Sequence, residues 1–139
     1  MKLPKIVFSG WARWADRTAI DNIDAPGIYI LAQFKKPPIG NADPQVQDII
    51  YIGETCDRTL KKRWGNFHHA AFQGKKGIHS GGETYRKILN DTGDNLYVAA
   101  FPVNELSYQL RPLFIRYVER KLIWEYAQKW GVAPKCNKK

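Results

Sequence analysis

The chain has 139 residues, the length of one domain with its own core, and its 44% hydrophobic and 13% aromatic content is ample for a globular fold. Lys and Arg number 22 against 13 Asp and Glu, which gives a formal charge of +9. A pI near 9.6 is typical of proteins that bind phosphate backbones. Composition therefore excludes a disordered or fibrous chain and favours a nucleic-acid partner.

The sequence shows no long apolar run that could span a membrane and no signal-peptide pattern. The two cysteines, Cys56 and Cys136, lack metal-ligand spacing and are too few for a disulfide framework. These features predict a cytoplasmic protein with reduced thiols. No basic amphipathic helix with an apolar anchor face stands out, so a membrane partner is not expected.

Residues 1–24 are expected to form an N-terminal arm. This segment interleaves Trp11, Arg13, Trp14 and Arg17, a pattern that either stacks on nucleic-acid bases or packs on the protein core. Aromatic residues near a terminus more often pack, so we favour an arm that lies against the domain.

Three short apolar runs, residues 27–32, 49–53 and 95–101, predict strands. The first two should pair as a long hairpin, because a loop rich in Pro, Gly and Lys separates them. Residues 57–72, 83–89 and 112–130 carry helical patterns. This order predicts an α+β domain with a small, mostly antiparallel three-stranded sheet flanked by helices.

Glu119 lies within the apolar stripe of the last predicted helix. At about 100° per residue, that stripe is formed by Ile115, Val118, Leu122 and Tyr126. A buried carboxylate is costly unless it meets a cation or strong donors, or takes up a proton. Either the helix is rotated so that Glu119 reaches solvent or an arginine, or this carboxylate serves a site.

Tyr29 and Tyr51 lie on the two paired strands, and Arg63 lies on the helix that follows them. An arginine offers a bidentate fork for phosphate oxygens. A carboxylate such as Glu119 can hold one hard divalent cation, which keeps several waters. Two phenols, a guanidinium and a carboxylate therefore suit metal-assisted cleavage of phosphodiesters.

At these residues the chain resembles the GIY-YIG nuclease family. Gly27-Ile28-Tyr29 and Tyr51-Ile52-Gly53 match the two name-giving tripeptides, in order, on two candidate strands. The helix around Arg63 is similar to the one that carries the family's catalytic arginine. Glu119 matches the metal-binding glutamate, and Asn137 matches an asparagine that steadies the site.

The resemblance spans residues 26–137, so residues 1–139 are expected to form a single domain of this type. It implies an endonuclease that hydrolyses DNA phosphodiesters with one Mg²⁺ or Mn²⁺ ion at Glu119, the arginine on the scissile phosphate, and a tyrosine that positions or activates water. No DNA-targeting domain is visible, so specificity is expected to come from the loops, a homodimer or an accessory protein. The implied catalytic set is Tyr29, Tyr51, Arg63, His68, Glu119 and Asn137.

The sequence departs from the family pattern in four ways. The hairpin carries an insertion, and the step from Gly53 to Arg63 is longer than usual. Glu54 follows the second motif, where it either ligates through water or is simply solvated. The family's histidine or tyrosine one turn beyond the arginine is Phe67 here. His68 lies about 140° from the arginine on an ideal helix; it is the preferred candidate, with His69 and His79 as alternatives.

The loops and the C-terminal tail are basic, and long cationic side chains there can reach the phosphates of double-stranded DNA. Alternatively, these charges only keep the domain soluble. The predicted nucleic-acid contacts are Lys35, Lys36, Lys75, Lys76, His79, Lys138 and Lys139.

Three functions fit the sequence. The leading hypothesis is a one-metal DNA endonuclease, and the second is a nucleic-acid-binding module of the same fold that does not cleave. The third is a basic structural protein, such as a ribosome-associated domain, in which Glu119 forms an internal salt bridge. Retention of the remaining family residues favours the first: Tyr29, Tyr51, Arg63, Glu119 and Asn137.

Overall fold

A computed structural model describes residues 3–138 of the chain. Its centre is an antiparallel sheet in the strand order β1-β4-β2-β3. β2 bonds to β3 on one side and to β4 on the other, so the predicted hairpin of the first two long strands is confirmed. The strands are β1 (Ala12–Arg13), β2 (Gly27–Gln33), β3 (Ile49–Thr55) and β4 (Leu96–Pro102).

The prediction of three strands was wrong, because the described chain forms a four-stranded sheet. The additional strand, β1, has two residues and pairs with β4. A strand of two residues is too short to show apolar alternation, and the sequence pattern therefore did not predict it. A 3₁₀ helix (Trp14–Ala19) follows, and Trp14 is buried edge-on against Phe67. This part of the arm therefore packs on the domain.

Helices α1 (Leu60–Gln73) and α2 (Ser80–Ile88) cover one face of the sheet. α1 begins later than predicted because Thr59 caps it, accepting a hydrogen bond from the Lys62 amide at 3.0 Å. α2 begins earlier than predicted because His79 acts as its N-cap. Gly82, one of the glycines that made this stretch resemble a loop, brings the helices together: a methyl group there would lie 2.7 Å from the Ala70 side chain.

Helix α3 (Arg111–Trp130) covers the opposite face of the sheet. It ends at Gly131, whose φ of 82° is the left-handed conformation that closes many helices. Alternate residues of β2 face alternate layers: Tyr29 belongs to the core under α1 and α2, whereas Ile28 and Ile30 belong to the core under α3. Among the described residues, no helix is long and apolar enough to cross a membrane.

Candidate active site

Tyr29 and Tyr51 meet on the α1 side of the β2–β3 hairpin. Their ring centroids are 6.0 Å apart. Tyr29 is 0% exposed and Tyr51 is 9% exposed, so only the second can present its hydroxyl to solvent or substrate. Burial raises the pKa of Tyr51 to about 12, Arg63 opposes that rise, and the charges of Glu119 and Glu54 add to it.

His79 holds the hydroxyl of Tyr29. Nδ1 of His79 accepts the backbone N–H of Gly82 at 3.0 Å, and Nε2 lies 2.6 Å from the Tyr29 hydroxyl oxygen. Burial and the nearby Arg63 lower the pKa of His79 to about 3, so the ring is neutral. Because a backbone N–H can only donate, Nδ1 carries the lone pair and Nε2 carries the proton. His79 therefore donates to Tyr29, which keeps its own proton free to donate onward.

Two glycines hold the ring of Tyr51. A methyl group at Gly53 would lie 2.5 Å from one ring carbon of Tyr51 and 2.8 Å from the hydroxyl of Tyr29. A methyl group at Gly81 would also fall well inside van der Waals contact with the Tyr51 ring. Neither glycine has a positive φ, so the requirement is space rather than backbone conformation. Gly81 was not predicted; the adjacent glycines at the start of α2 were the available signal.

Arg63 reaches the same site from α1. Its Nη1 donates to the carbonyl of Ile78 at 2.9 Å, which ties α1 to the residue before His79. Arg63 is partly exposed and forms no ion pair among the described residues. Its cation opposes the burial-driven rise in the pKa of both Tyr29 and Tyr51, so it lies within electrostatic reach of both hydroxyls. The remaining guanidinium donors can serve a phosphate.

Glu119 approaches from α3, in the layer on the other side of the sheet. Its side chain is 19% exposed, and Arg120 is 3.9 Å away, at the limit of an ion pair. Burial and the charge of Glu54 raise the pKa of Glu119 to about 7, with Arg120 opposing. β3 is the edge strand of the sheet, so groups from the two layers can come together there. The sequence left open that Glu119 forms an ion pair with an arginine. At 3.9 Å from Arg120, a close ion pair is not observed.

The donor set suits a hard cation that keeps most of its waters. The charge of Glu54 raises the cost of ionising Glu119, and a divalent ion between them would relieve that repulsion. Among residues 3–138, no cluster of three or more His, Cys, Asp or Glu could supply a full protein shell. Mg²⁺ is commonly bound through one or two carboxylates plus water, so the residues fit this ion. Glu54 also accepts a hydrogen bond from the thiol of Cys56 at 2.8 Å.

Asn137 fixes the strand that carries the tyrosine. Its side chain accepts from the amide of Ile52 and donates to the carbonyl of Ile52, both at 2.9 Å. The amide of Cys136 donates to Ile50 at 2.8 Å, so the C-terminal segment covers the open edge of β3. Asn137 thus holds the backbone of β3 next to Tyr51.

The structure separates His68 from the tyrosines. Nδ1 of His68 accepts the indole N–H of Trp14 at 3.0 Å, and the two rings are stacked. His69 is exposed and pairs with Gln73. The histidine that the structure places against Tyr29 and Tyr51 is His79, an alternative to the preferred His68, which contacts Trp14 instead. The reason is the helical angle: residues one and two places after Phe67 turn away from the sheet.

The predicted basic residues occupy different surfaces. Lys75 and Lys76 are exposed and line a cleft of about 450 Å³ with two cations that the sequence did not single out, Arg86 and Lys87. The chain runs from this cleft directly into His79. By contrast, residues 35–36 follow β2, about 20 Å from Tyr29 along the strand direction and about 13 Å from the level of Tyr51, which pairs with Leu31. Lys138 is exposed, and Lys139 lies outside the described residues.

Comparison of the chain with protein-family models, with curated proteins and with solved structures gave no significant match.

Proposed function

We propose that this protein is a metal-dependent endonuclease that hydrolyses DNA phosphodiester bonds, a small domain of the GIY-YIG type. The observation that carries the proposal is the position of Arg63 and Glu119 around Tyr51. Arg63 donates to the carbonyl of Ile78, next to the His79 ring whose centroid lies 5.4 Å from that of Tyr51, and Glu119, an incompletely paired carboxylate on α3, acts electrostatically on the Tyr51 hydroxyl. Because Tyr51, Arg63 and Glu119 are far apart in the sequence, local packing alone does not explain why all three are found at one place.

Tyr51 is the tyrosine that acts on the attacking water. Tyr51 is the more exposed of the two tyrosines, whereas Tyr29 is fully buried and acts through the hydroxyl of Tyr51. His79 donates to Tyr29, and Tyr29 can then donate toward the neighbouring hydroxyl of Tyr51. This polarised chain orients the Tyr51 hydroxyl, and the cation of Arg63 lowers the cost of any negative charge that develops on it.

Arg63 and Glu119 act on the phosphate. The guanidinium of Arg63 binds the non-bridging oxygens, where charge grows as water attacks phosphorus. Glu119, assisted by Glu54 directly or through water, would hold the Mg²⁺ ion. That ion, when bound, neutralises charge on the phosphate and on the leaving oxygen.

Incubation of the purified protein with supercoiled plasmid, in Mg²⁺ or in EDTA, tests this function. We expect conversion to nicked or linear DNA in Mg²⁺ and none in EDTA. Equal, negligible conversion in both, with DNA binding intact, would favour a non-cleaving binding module. Neither cleavage nor binding would point to a structural protein.

The role of His79 has its own test. Asparagine at this position can still cap α2, because its side-chain oxygen replaces Nδ1 as acceptor for Gly82. It cannot replace the Nε2 donor to Tyr29. His79→Asn should therefore fold normally and cleave more slowly, about 10²-fold by analogy with other proton-network residues. An unchanged rate would restrict His79 to capping the helix.

The second candidate function is a nucleic-acid-binding module on the same fold. Its support is the cleft lined by Lys75, Lys76, Arg86 and Lys87, which would bind phosphates whether or not the chain cleaves. It gives no account of Glu119, a half-buried carboxylate that weakens the attraction for DNA. For that reason the nuclease is the preferred proposal.

A further inference from the structure

A second cleft, of about 460 Å³, opens beside Glu54 at the end of β3. Three arginines line it: Arg58 from the turn before α1, and Arg111 and Arg116 from the first two turns of α3. No sequence motif marks these arginines. They are not part of the tyrosine–histidine cluster, but Glu54 is common to this cleft and to the candidate metal site.

Two carboxylates, Glu54 and Asp57, also line this cleft, so its three arginines leave a net charge of +1 (3 − 2). Within residues 3–138, the ion pairs are Glu119 with Arg120 and Lys121 with Glu125, and none includes an arginine of the cleft. The carboxylate of Glu54 is engaged by the Cys56 thiol. Arg58 and Arg116 are exposed, so their guanidinium groups are free to meet a ligand.

Arg111 carries an unsatisfied donor. Its Nε is buried and has no hydrogen-bond partner among the described residues, while its Nη2 donates to the carbonyl of Leu106 at 3.3 Å. A buried donor without a partner is destabilising. In addition, α3 begins at Arg111 with no side-chain cap and no acidic residue in its first turn. The positive end of a 20-residue helix therefore contributes to the same cleft.

We infer that this cleft binds phosphate groups of the DNA strand next to the scissile phosphate, and this inference rests on the proposed function. Arginine forks match phosphate geometry, and the helix N-terminus adds attraction for an anion. A strand whose scissile phosphate contacts Arg63 and Glu119 would pass Glu54 and enter the cleft. The cleft lined by Lys75 and Lys76 would take phosphates on the opposite side of the site.

The salt dependence of DNA binding in EDTA tests the cleft without requiring cleavage. The variants are Arg58→Ala, Arg116→Ala and their combination, whose side chains are exposed and whose folding can be checked by thermal unfolding. The matched control, Arg13→Ala with Lys129→Ala, removes the same charge from exposed positions outside the cleft. Binding of a fluorescent duplex is followed by anisotropy over a salt series.

Each lost phosphate contact should make the slope of log K against log salt shallower by about 0.9. We therefore expect the slope to become shallower by about 0.9 in each single variant and by about 1.8 in the double variant. The control should keep the wild-type slope. A double variant that matches either the wild type or the control would overturn the inference, as would a wild type that does not bind DNA. If binding behaves as expected but plasmid is never cleaved, the cleft is supported and the nuclease proposal fails.

Discussion

Glu119→Gln should stabilise the folded protein at neutral and alkaline pH but leave its stability unchanged in acid. Burial and the charge of Glu54 raise the pKa of Glu119 from 4.5 to about 7, and Arg120 opposes that rise. Below pH 4.5 the carboxyl is protonated in both states, so glutamine changes little. Between the two values the folded state keeps a proton that the unfolded state releases, so wild-type stability falls as pH rises. Above pH 7 the deficit is constant.

One pKa unit corresponds to about 1.4 kcal/mol, so the deficit is at most roughly 3 kcal/mol. The side chain is 19% exposed, and solvent screening there reduces the value further. Urea denaturation of wild type and Glu119→Gln in EDTA, at pH 4, 6 and 8, gives the difference in the free energy of unfolding. We expect that difference to grow with pH. Glu105→Gln, which alters an exposed carboxylate, serves as the control.

A difference that does not change between pH 4 and pH 8 would refute this reasoning about Glu119. The same experiment contains a test of the metal site with no reference to activity. Added Mg²⁺ should raise the stability of the wild type at pH 8, because binding to the folded state alone stabilises it. Glu119→Gln should not respond. An equal response of both proteins would remove Glu119 from the metal site.

Further predictions concern the chemistry, the packing and the DNA surface. Arg63→Lys keeps the charge but loses the fork, so cleavage should slow by about 10²-fold in single-turnover assays; near-normal cleavage would reduce Arg63 to background charge. Tyr51→Phe should slow cleavage by at least about 10²-fold with little change in melting temperature; normal cleavage would leave Tyr51 as a packing residue. Gly81→Ala should displace the Tyr51 ring, lowering both the rate and, by about 1–3 kcal/mol, the stability; full activity would contradict the described packing. Lys75→Ala with Lys76→Ala should make the salt slope of DNA binding shallower by about 0.9 for each lost contact; an unchanged slope would remove this loop from the DNA surface.

The long elements were predictable because their patterns are strong. β2 and β3 are continuous apolar runs, and the stripe along α3 places four apolar residues on one face. These patterns are strong because burial constrains residues along the whole length of each element. The capped ends were less predictable: Thr59 and His79 each moved a helix boundary through a single hydrogen bond.

The fourth strand and the contact of His79 with Tyr29 could not be predicted from local patterns. β1 is a two-residue pairing whose formation depends on β4, far along the chain. His79 joins Tyr29 across 50 positions, and it does so because its other ring nitrogen is used as a helix cap. His68 looked better because it is close to Arg63 in sequence, but it faces Trp14 in three dimensions.

The arginine cleft could not be predicted from the sequence, for a similar reason. Arg58 and Arg116 lie in separate segments with no shared pattern, and the fold brings them to one cleft beside Glu54. The net charge of +9 predicted a phosphate partner without indicating a place for it. Only the tertiary structure shows which of the cations lie together on one surface.

Cleavage of supercoiled plasmid by wild type and Glu119→Gln, purified side by side and assayed in Mg²⁺, tests the central claim most directly. Both proteins should bind the plasmid in EDTA, because the substitution removes a negative charge and leaves the basic clefts intact. The account predicts nicked or linear product from the wild type and none from Glu119→Gln. Equal product from both proteins would mean that Glu119 is not the metal-binding residue, and no product from either would contradict the nuclease itself.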